Sequence, residues 1–210
     1  MATTHGRVHT GPVMNAAPVT PAPVIPAAVI PAAVIPAAVI PAAVIPAAAR
    51  RPVDYVWAVA RIALGWVFLW AFLDKTFGWG FATPAERAWV AGGSPTTGFL
   101  KGTGENALGG LFTGLAGQGW VDWLFMLGLL GVGAALIAGA GLRIAAAAGG
   151  LMMVLMWAAE LPLTTNPFMD EHLVYALVLA GLAMAQAGDT LGLGRWWGAT
   201  PLVRDHPVLR

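Results

Sequence analysis

The sequence predicts an all-α protein: a four-helix transmembrane bundle with a helical extracytoplasmic loop and a disordered, Pro/Ala-rich N-terminal tail. Three observations predict it. Four apolar segments of near 20 residues lie in the last three-quarters of the chain, roughly Tyr55–Leu73, Trp123–Gly141, Ile144–Leu163 and Phe168–Ala187. Only 10% of the residues are charged and 58% are hydrophobic, with a mean hydropathy of +0.73. The first 52 residues have a different composition, dominated by a proline repeat. A hydrocarbon core about 30 Å thick takes about 20 helical residues to cross. A soluble domain carries about 25% charged residues, so a water-soluble core is excluded.

The tail comes first. From Val24 the unit Ile-Pro-Ala-Ala-Val recurs, with Pro26, Pro31, Pro36, Pro41 and Pro46 in register. Its hydropathy is that of a membrane span. Its backbone is not, because one helix-interior proline costs about 3 kcal/mol and a lipid-exposed chain has no water to replace the lost hydrogen bonds. Residues 1–52 are therefore expected to be a disordered or polyproline-like segment. A low-complexity spacer is the plain reading, and a partner-docking tail the other. Residues 53–210 form the membrane domain. The apolar run also makes a poor signal peptide, with no convincing cleavage site after it.

Orientation follows from the positive flanks. Arg50 and Arg51 precede span one, Arg143 sits in the tight turn between spans two and three, and Arg195, Arg204 and Arg210 follow span four. The other set of connections holds Lys75, Arg87 and Lys101. Positive residues collect on the cytoplasmic side, so both termini are expected in the cytoplasm. Tryptophans mark both membrane levels, Trp57, Trp196 and Trp197 inside and Trp79, Trp120, Trp123 and Trp157 outside. Spans two and three are rich in small residues, Gly128, Gly131, Gly133, Gly139 and Gly141 in one and Ala145 to Gly150 in the other. Such residues let helix backbones approach closely in lipid.

The connection from Asp74 to Val121 is long. Thr83-Pro84-Ala85-Glu86 has the form of a capping box with proline at the first helical position, and Gly92-Gly93 should end that helix. Ser94-Pro95 starts a second, ending near Gly102. Two or three short helices lying on the membrane surface and capping the bundle are expected.

Ionisable groups beside spans are costly and mark functional candidates. Asp74 and Lys75 close span one, Asp122 opens span two, Glu160 lies near the outer end of span three, and Asp170, Glu171 and His172 open span four with Tyr175 one turn on. All lie at the outer level. The candidate site is the polar cluster Asp74, Lys75, Glu160, Asp170, His172 and Tyr175, suited to a quinone head group, a proton path or a partner. His172 and Tyr175 are spaced to share a helix face, and Trp157 is the candidate quinone wall. The structural alternative has Lys75 neutralising Glu160, Asp170 and Glu171 complementing the helix N-terminus, and His172 as an interfacial histidine. Arg61 is read as a structural intramembrane charge, either snorkelling to the inner headgroups or pairing with Asp189 or Gln186.

Other chemistries are set aside. The chain has no cysteine, which removes disulfides, thiol redox chemistry and Cys-bound zinc or iron–sulfur clusters. Only His172 lies at membrane depth, too few for a bis-histidine haem. No P-loop, nucleophile elbow or His-Glu-x-x-His motif is present, and Gly192-Leu193-Gly194 follows a membrane helix rather than a strand. A net charge of +1 gives no case for nucleic acid. No metal site and no tightly bound cofactor are expected.

Four stretches carry a resemblance. They are Ala60-Arg61-Ile62-Ala63-Leu64-Gly65, Gly92-Gly93-Ser94-Pro95-Thr96-Thr97-Gly98-Phe99-Leu100, Asn166-Pro167-Phe168-Met169-Asp170-Glu171-His172 and Gly188-Asp189-Thr190-Leu191-Gly192-Leu193-Gly194. Over about residues 53–198 the chain resembles the DoxX/DoxD family of four-helix bacterial membrane proteins. The resemblance implies a bacterial plasma-membrane component of a redox system. Similar members are described as the DoxD-type subunit of a thiosulfate:quinone oxidoreductase, which makes tetrathionate, with quinone as substrate and a second redox subunit or soluble redox protein as partner. It carries over no catalytic residues. The alternative function is a non-catalytic membrane anchor or assembly subunit. A third is a conductor of protons or small solutes.

Overall fold

The computed structural model describes residues 50–210. The expected tail lies outside the described residues except for its last three, and of these Pro52 already opens the first helix. Among the described residues all regular structure is helical. Three helices are long and apolar enough to cross a membrane: α1 (Pro52–Phe77), α4 (Gly119–Ala138) and α5 (Leu142–Glu160). Between α1 and α4 lie two single 3₁₀ turns (Ala85–Arg87 and Trp89–Ala91) and the short helices α2 (Thr97–Gly102) and α3 (Gly109–Thr113). After α5 come α6 (Glu171–Met184), α7 (Gly194–Gly198) and α8 (Pro201–Asp205).

Helix α1 packs on α4, α4 on α5 and α5 on α6, with α6 touching α1 more lightly. Leu64, Phe68, Met126, Leu129, Val132, Leu136, Leu179 and Leu182 fill the interior. The outward faces are equally apolar. Val56, Val59, Leu124, Leu127, Leu151 and Leu177 are all exposed. A helix apolar all round needs an apolar surrounding, so these faces contact lipid. Glycine sets the close approach of α1 to α4. A Cβ on Gly133 would lie 2.8 Å from the Leu69 backbone nitrogen, and one on Gly65 2.9 Å from the Leu136 Cβ.

The ends of the bundle differ. At the hairpin end α4 stops at Gly139 and α5 starts after Gly141, both with positive φ (74° and 67°). Arg143 donates to the Pro207 carbonyl at 2.9 Å, Trp197 to the Leu209 carbonyl at 2.7 Å, and Arg210 pairs with Asp189 at 2.8 Å. At the cap end the 78–118 segment folds over the helix tips, with Leu100 and Phe112 packed on Ala159.

Two expectations change in detail. The segment expected as a helix after Thr83 makes only 3₁₀ turns, and Pro84 rather than Thr83 precedes them. Helix α6 has 14 residues, about 21 Å, instead of the 20 expected. It loses three residues at each end: Asp170 caps its start, and past its other end Gln186 takes positive φ (50°) and the following backbone runs against the α4–α5 turn. A Cβ on Gly188 would lie 2.1 Å from the Gly139 carbonyl oxygen, so the two backbones are in contact there.

Candidate functional site

The six residues of the expected polar cluster do not form one site. Asp74 is an anchor of the cap, as is Asp122; Lys75 lines a chamber; Glu160, Asp170 and His172 meet as a triad; and Tyr175 packs against the core.

The anchors are buried carboxylates that hold loop backbone. Asp74, 1% exposed, accepts from the N–H groups of Phe81, Ala82 and Thr83 at 3.3, 3.0 and 2.8 Å. Asp122 accepts from the Ser94 hydroxyl at 2.8 Å, and from the Thr96 hydroxyl and N–H at 2.6 and 3.1 Å. A carboxylate that collects several donors is stable when buried, and each such charge-assisted bond contributes more than a neutral one. Asp74 and Asp122 therefore pin the cap to the tips of α1 and α4. The Ser94-Pro95-Thr96 pattern was readable in the sequence, but its carboxylate partner 26 positions on was not.

The chamber is an open groove between the cap-end halves of α4 and α5, under α2 and α3, with Trp120, Leu124 and Leu151 exposed along it. Its volume is about 430 Å³. Phe99, Phe112, Trp120, Phe125 and Met152 are among its walls, and among the described residues Lys75 is the only charged one lining it. Along α4 it runs from Trp120 to Gly128, about 12 Å. Among the described residues Lys75 makes no ion pair. The expected neutralisation of Glu160 by Lys75 is therefore corrected: the amine belongs to the chamber. Nothing in the sequence marked Phe99, Phe112 or Met152 as chamber residues. They read as ordinary apolar positions.

The triad is Glu160, Asp170 and His172, where the end of α5 meets the start of α6. His172 Nδ1 lies 2.8 Å from Asp170 Oδ2 and 3.9 Å from Glu160 Oε2. Asp170 also caps α6, its Oδ1 accepting from the Leu173 N–H at 3.1 Å. This side-chain cap satisfies one of the helix's orphan donors. Burial pushes the Asp170 carboxyl up. The hydrogen bonds from His172 and Leu173 and the electrostatic pull of His172 outweigh it and hold the carboxyl below the usual carboxylate range.

The remaining candidates have other duties. Tyr175 is partly buried and packs against the central core rather than joining the triad. The Trp157 indole N–H donates to the Phe168 carbonyl at 2.8 Å, so it fastens the 161–170 connection to α5 and does not line the chamber. Arg61 is fully buried at the hairpin end. Its guanidinium donates to the carbonyls of Leu136 and Ile137, which end α4, and to Thr190 and Leu191 after α6. It neither snorkels nor pairs with Asp189 or Gln186. Its partners are backbone carbonyls.

Fold and sites together define a helical membrane protein with a capped end that holds an apolar chamber and a separate carboxylate–histidine triad. No protein-family model, no curated protein and no solved structure matches the chain.

Proposed function

We propose that this chain is the membrane component of a DoxX/DoxD-type redox system and that its cap-end chamber receives a quinone. In this reading α6 is a fourth, short span completing the bundle. The chain sits in a bacterial plasma membrane with both termini cytoplasmic, which leaves the cap on the extracytoplasmic side. The single observation that carries the proposal is the chamber: about 430 Å³, walled by aromatic and methionine side chains, with Lys75 as its one charge among the described residues. Ligand sites are mostly apolar with a few placed polar groups. A quinone ring fits that description, with the Lys75 ammonium donating to a ring carbonyl and the isoprenoid tail leaving along the α4–α5 crevice into lipid.

Reduction of a quinone takes two electrons and two protons. Two thiosulfates joining as tetrathionate release two electrons. The chain has no cysteine to relay them through a thiol, so a second redox subunit or soluble redox protein delivers them. That same lack favours the rival reading, a non-catalytic anchor or assembly subunit for such a partner.

The test uses the full chain in nanodiscs. A short-chain quinone analogue is titrated while tryptophan fluorescence is followed, since Trp120 lines the chamber. Saturable quenching that Lys75→Met weakens and Ala148→Trp abolishes is the expected result. Absence of saturable quenching removes the quinone reading. Binding without thiosulfate-dependent quinone reduction when the partner is added turns the assignment to the anchor.

A further inference from the structure

We infer that Glu160, Asp170 and His172 form a binding site for a divalent first-row transition-metal ion at the cap end. The inference stands apart from the quinone reading, because no triad residue lines the chamber.

Geometry is the first argument. One ligand atom from each residue lies within 4.8 Å of the other two. An ion bonded at about 2.0–2.2 Å sets neighbouring ligand atoms roughly 3.0–3.5 Å apart. The His172–Asp170 distance of 2.8 Å and the His172–Glu160 distance of 3.9 Å bracket that range. The ion takes the place of the proton shared by His172 and Asp170, whose ligand atoms part by a few tenths of an ångström, and Glu160 closes on His172 by less than about 1 Å. The Glu160 side chain is 38% exposed and makes no hydrogen bond among the described residues, so it is free to do so.

Charge is the second argument. Two carboxylates are held together, and the Asp170 side chain is only 7% exposed. Among the described residues no lysine or arginine lies within 4.0 Å of either carboxylate, and His172 is their one basic neighbour. Carboxylates at such separation repel unless a proton or a cation comes between them. A dication answers both charges at once.

The donor set then selects the ion. One imidazole and two carboxylates suit zinc, manganese, iron or cobalt; thiolate-seeking ions find no sulfur, and calcium and magnesium prefer oxygen alone. Three protein ligands leave coordination positions for water. The scaffold around the triad is already held. Asn106 donates to the Ala159 carbonyl at 2.8 Å, the Ala107 N–H to the Leu161 carbonyl at 2.9 Å, and Trp157 to the Phe168 carbonyl at 2.8 Å. A bound ion locks the 161–170 connection between α5 and α6.

The experiment takes the full chain in nanodiscs, stripped with chelator. Zn²⁺ is titrated against a chromophoric competitor, and Co²⁺ is followed by its ligand-field absorption. The expected result is one saturable ion per chain, and for Glu160→Gln and His172→Asn at least about a 10-fold loss of affinity with loss of the Co²⁺ band. Asp170→Asn is the variant that guards against misfolding, since asparagine also caps helices. It should keep the parent's unfolding midpoint and still lose the ion. Glu171→Gln, His206→Asn and the tail variant His5→Asn/His9→Asn should bind like the parent. The inference is overturned if the parent shows no saturable ion. It is equally overturned if the three triad variants, folded by circular dichroism, bind as the parent does.

Discussion

Arg61 and Leu191 lie 130 positions apart and are joined by a hydrogen bond of 2.7 Å from guanidinium Nη2 to backbone carbonyl. The other nitrogen, Nη1, donates to the carbonyls of Leu136 and Ile137. One planar group thus satisfies the C-terminal carbonyls of α4 and the turn that follows α6. Helix C-termini leave four carbonyls without intrahelical partners, and here the fully buried Arg61 side chain takes two of them.

Replacing this group should be costly. Arg61→Met leaves the carbonyls buried and unpaired, at about 1–3 kcal/mol for each donor lost. Arg61→Lys should rescue only part, because a single ammonium cannot span both backbone segments as a fork does. Unfolding midpoints in a mild detergent should fall in the order parent, Lys variant, Met variant. A Met variant as stable as the parent would show that the clamp is idle.

The two cap anchors predict local loosening. Asp74→Ala frees three N–H groups of residues 81–83, and Asp122→Ala frees Ser94 and Thr96. Each should cost at least about 1.5–3 kcal/mol, the range for one hydrogen bond to a charged group. Limited proteolysis should cut near residue 82 in the first variant and near residue 95 in the second. Identical cleavage patterns in parent and variants would contradict the assignment.

Two glycines of α4, two positions apart, should behave oppositely. Gly133→Ala drives a methyl to 2.8 Å from the Leu69 backbone nitrogen, whereas Gly131→Ala meets nothing within 4 Å. Overpacking costs about 1–3 kcal/mol; an alanine for glycine in an open helix position gains up to about 1 kcal/mol. Thermal unfolding of the two variants therefore moves in opposite directions. Equal shifts would mean that α1 and α4 do not pack through Gly133.

Trp157 and Lys75 separate two sites that share a level. Trp157→Phe removes the bond to the Phe168 carbonyl and should cost about 1 kcal/mol while leaving quinone-analogue quenching unchanged. Lys75→Met should do the reverse, with little loss of stability and weaker quenching. Reversed outcomes in paired fluorescence and unfolding measurements would return Trp157 to the ligand site.

The membrane class, the three long helices and their approximate ends were legible in the sequence. Hydropathy and helix termination are local properties: an apolar run of 20 residues, or Gly139 and Gly141 around a turn, acts through its own neighbourhood. The level of each ionisable residue was legible for the same reason, since rise along a helix is fixed at about 1.5 Å per residue. What those residues face was not. Successive side chains point about 100° apart, so Asp74 turns into the cap backbone while its neighbour Lys75 turns into the chamber. The stop of α6 after Met184, the backbone partners of Arg61 and the meeting of Glu160 with Asp170 and His172 were decided only in the tertiary structure. Each depends on the azimuth at which one helix packs against another, and packing between distant segments sets that angle, leaving no mark in the local sequence.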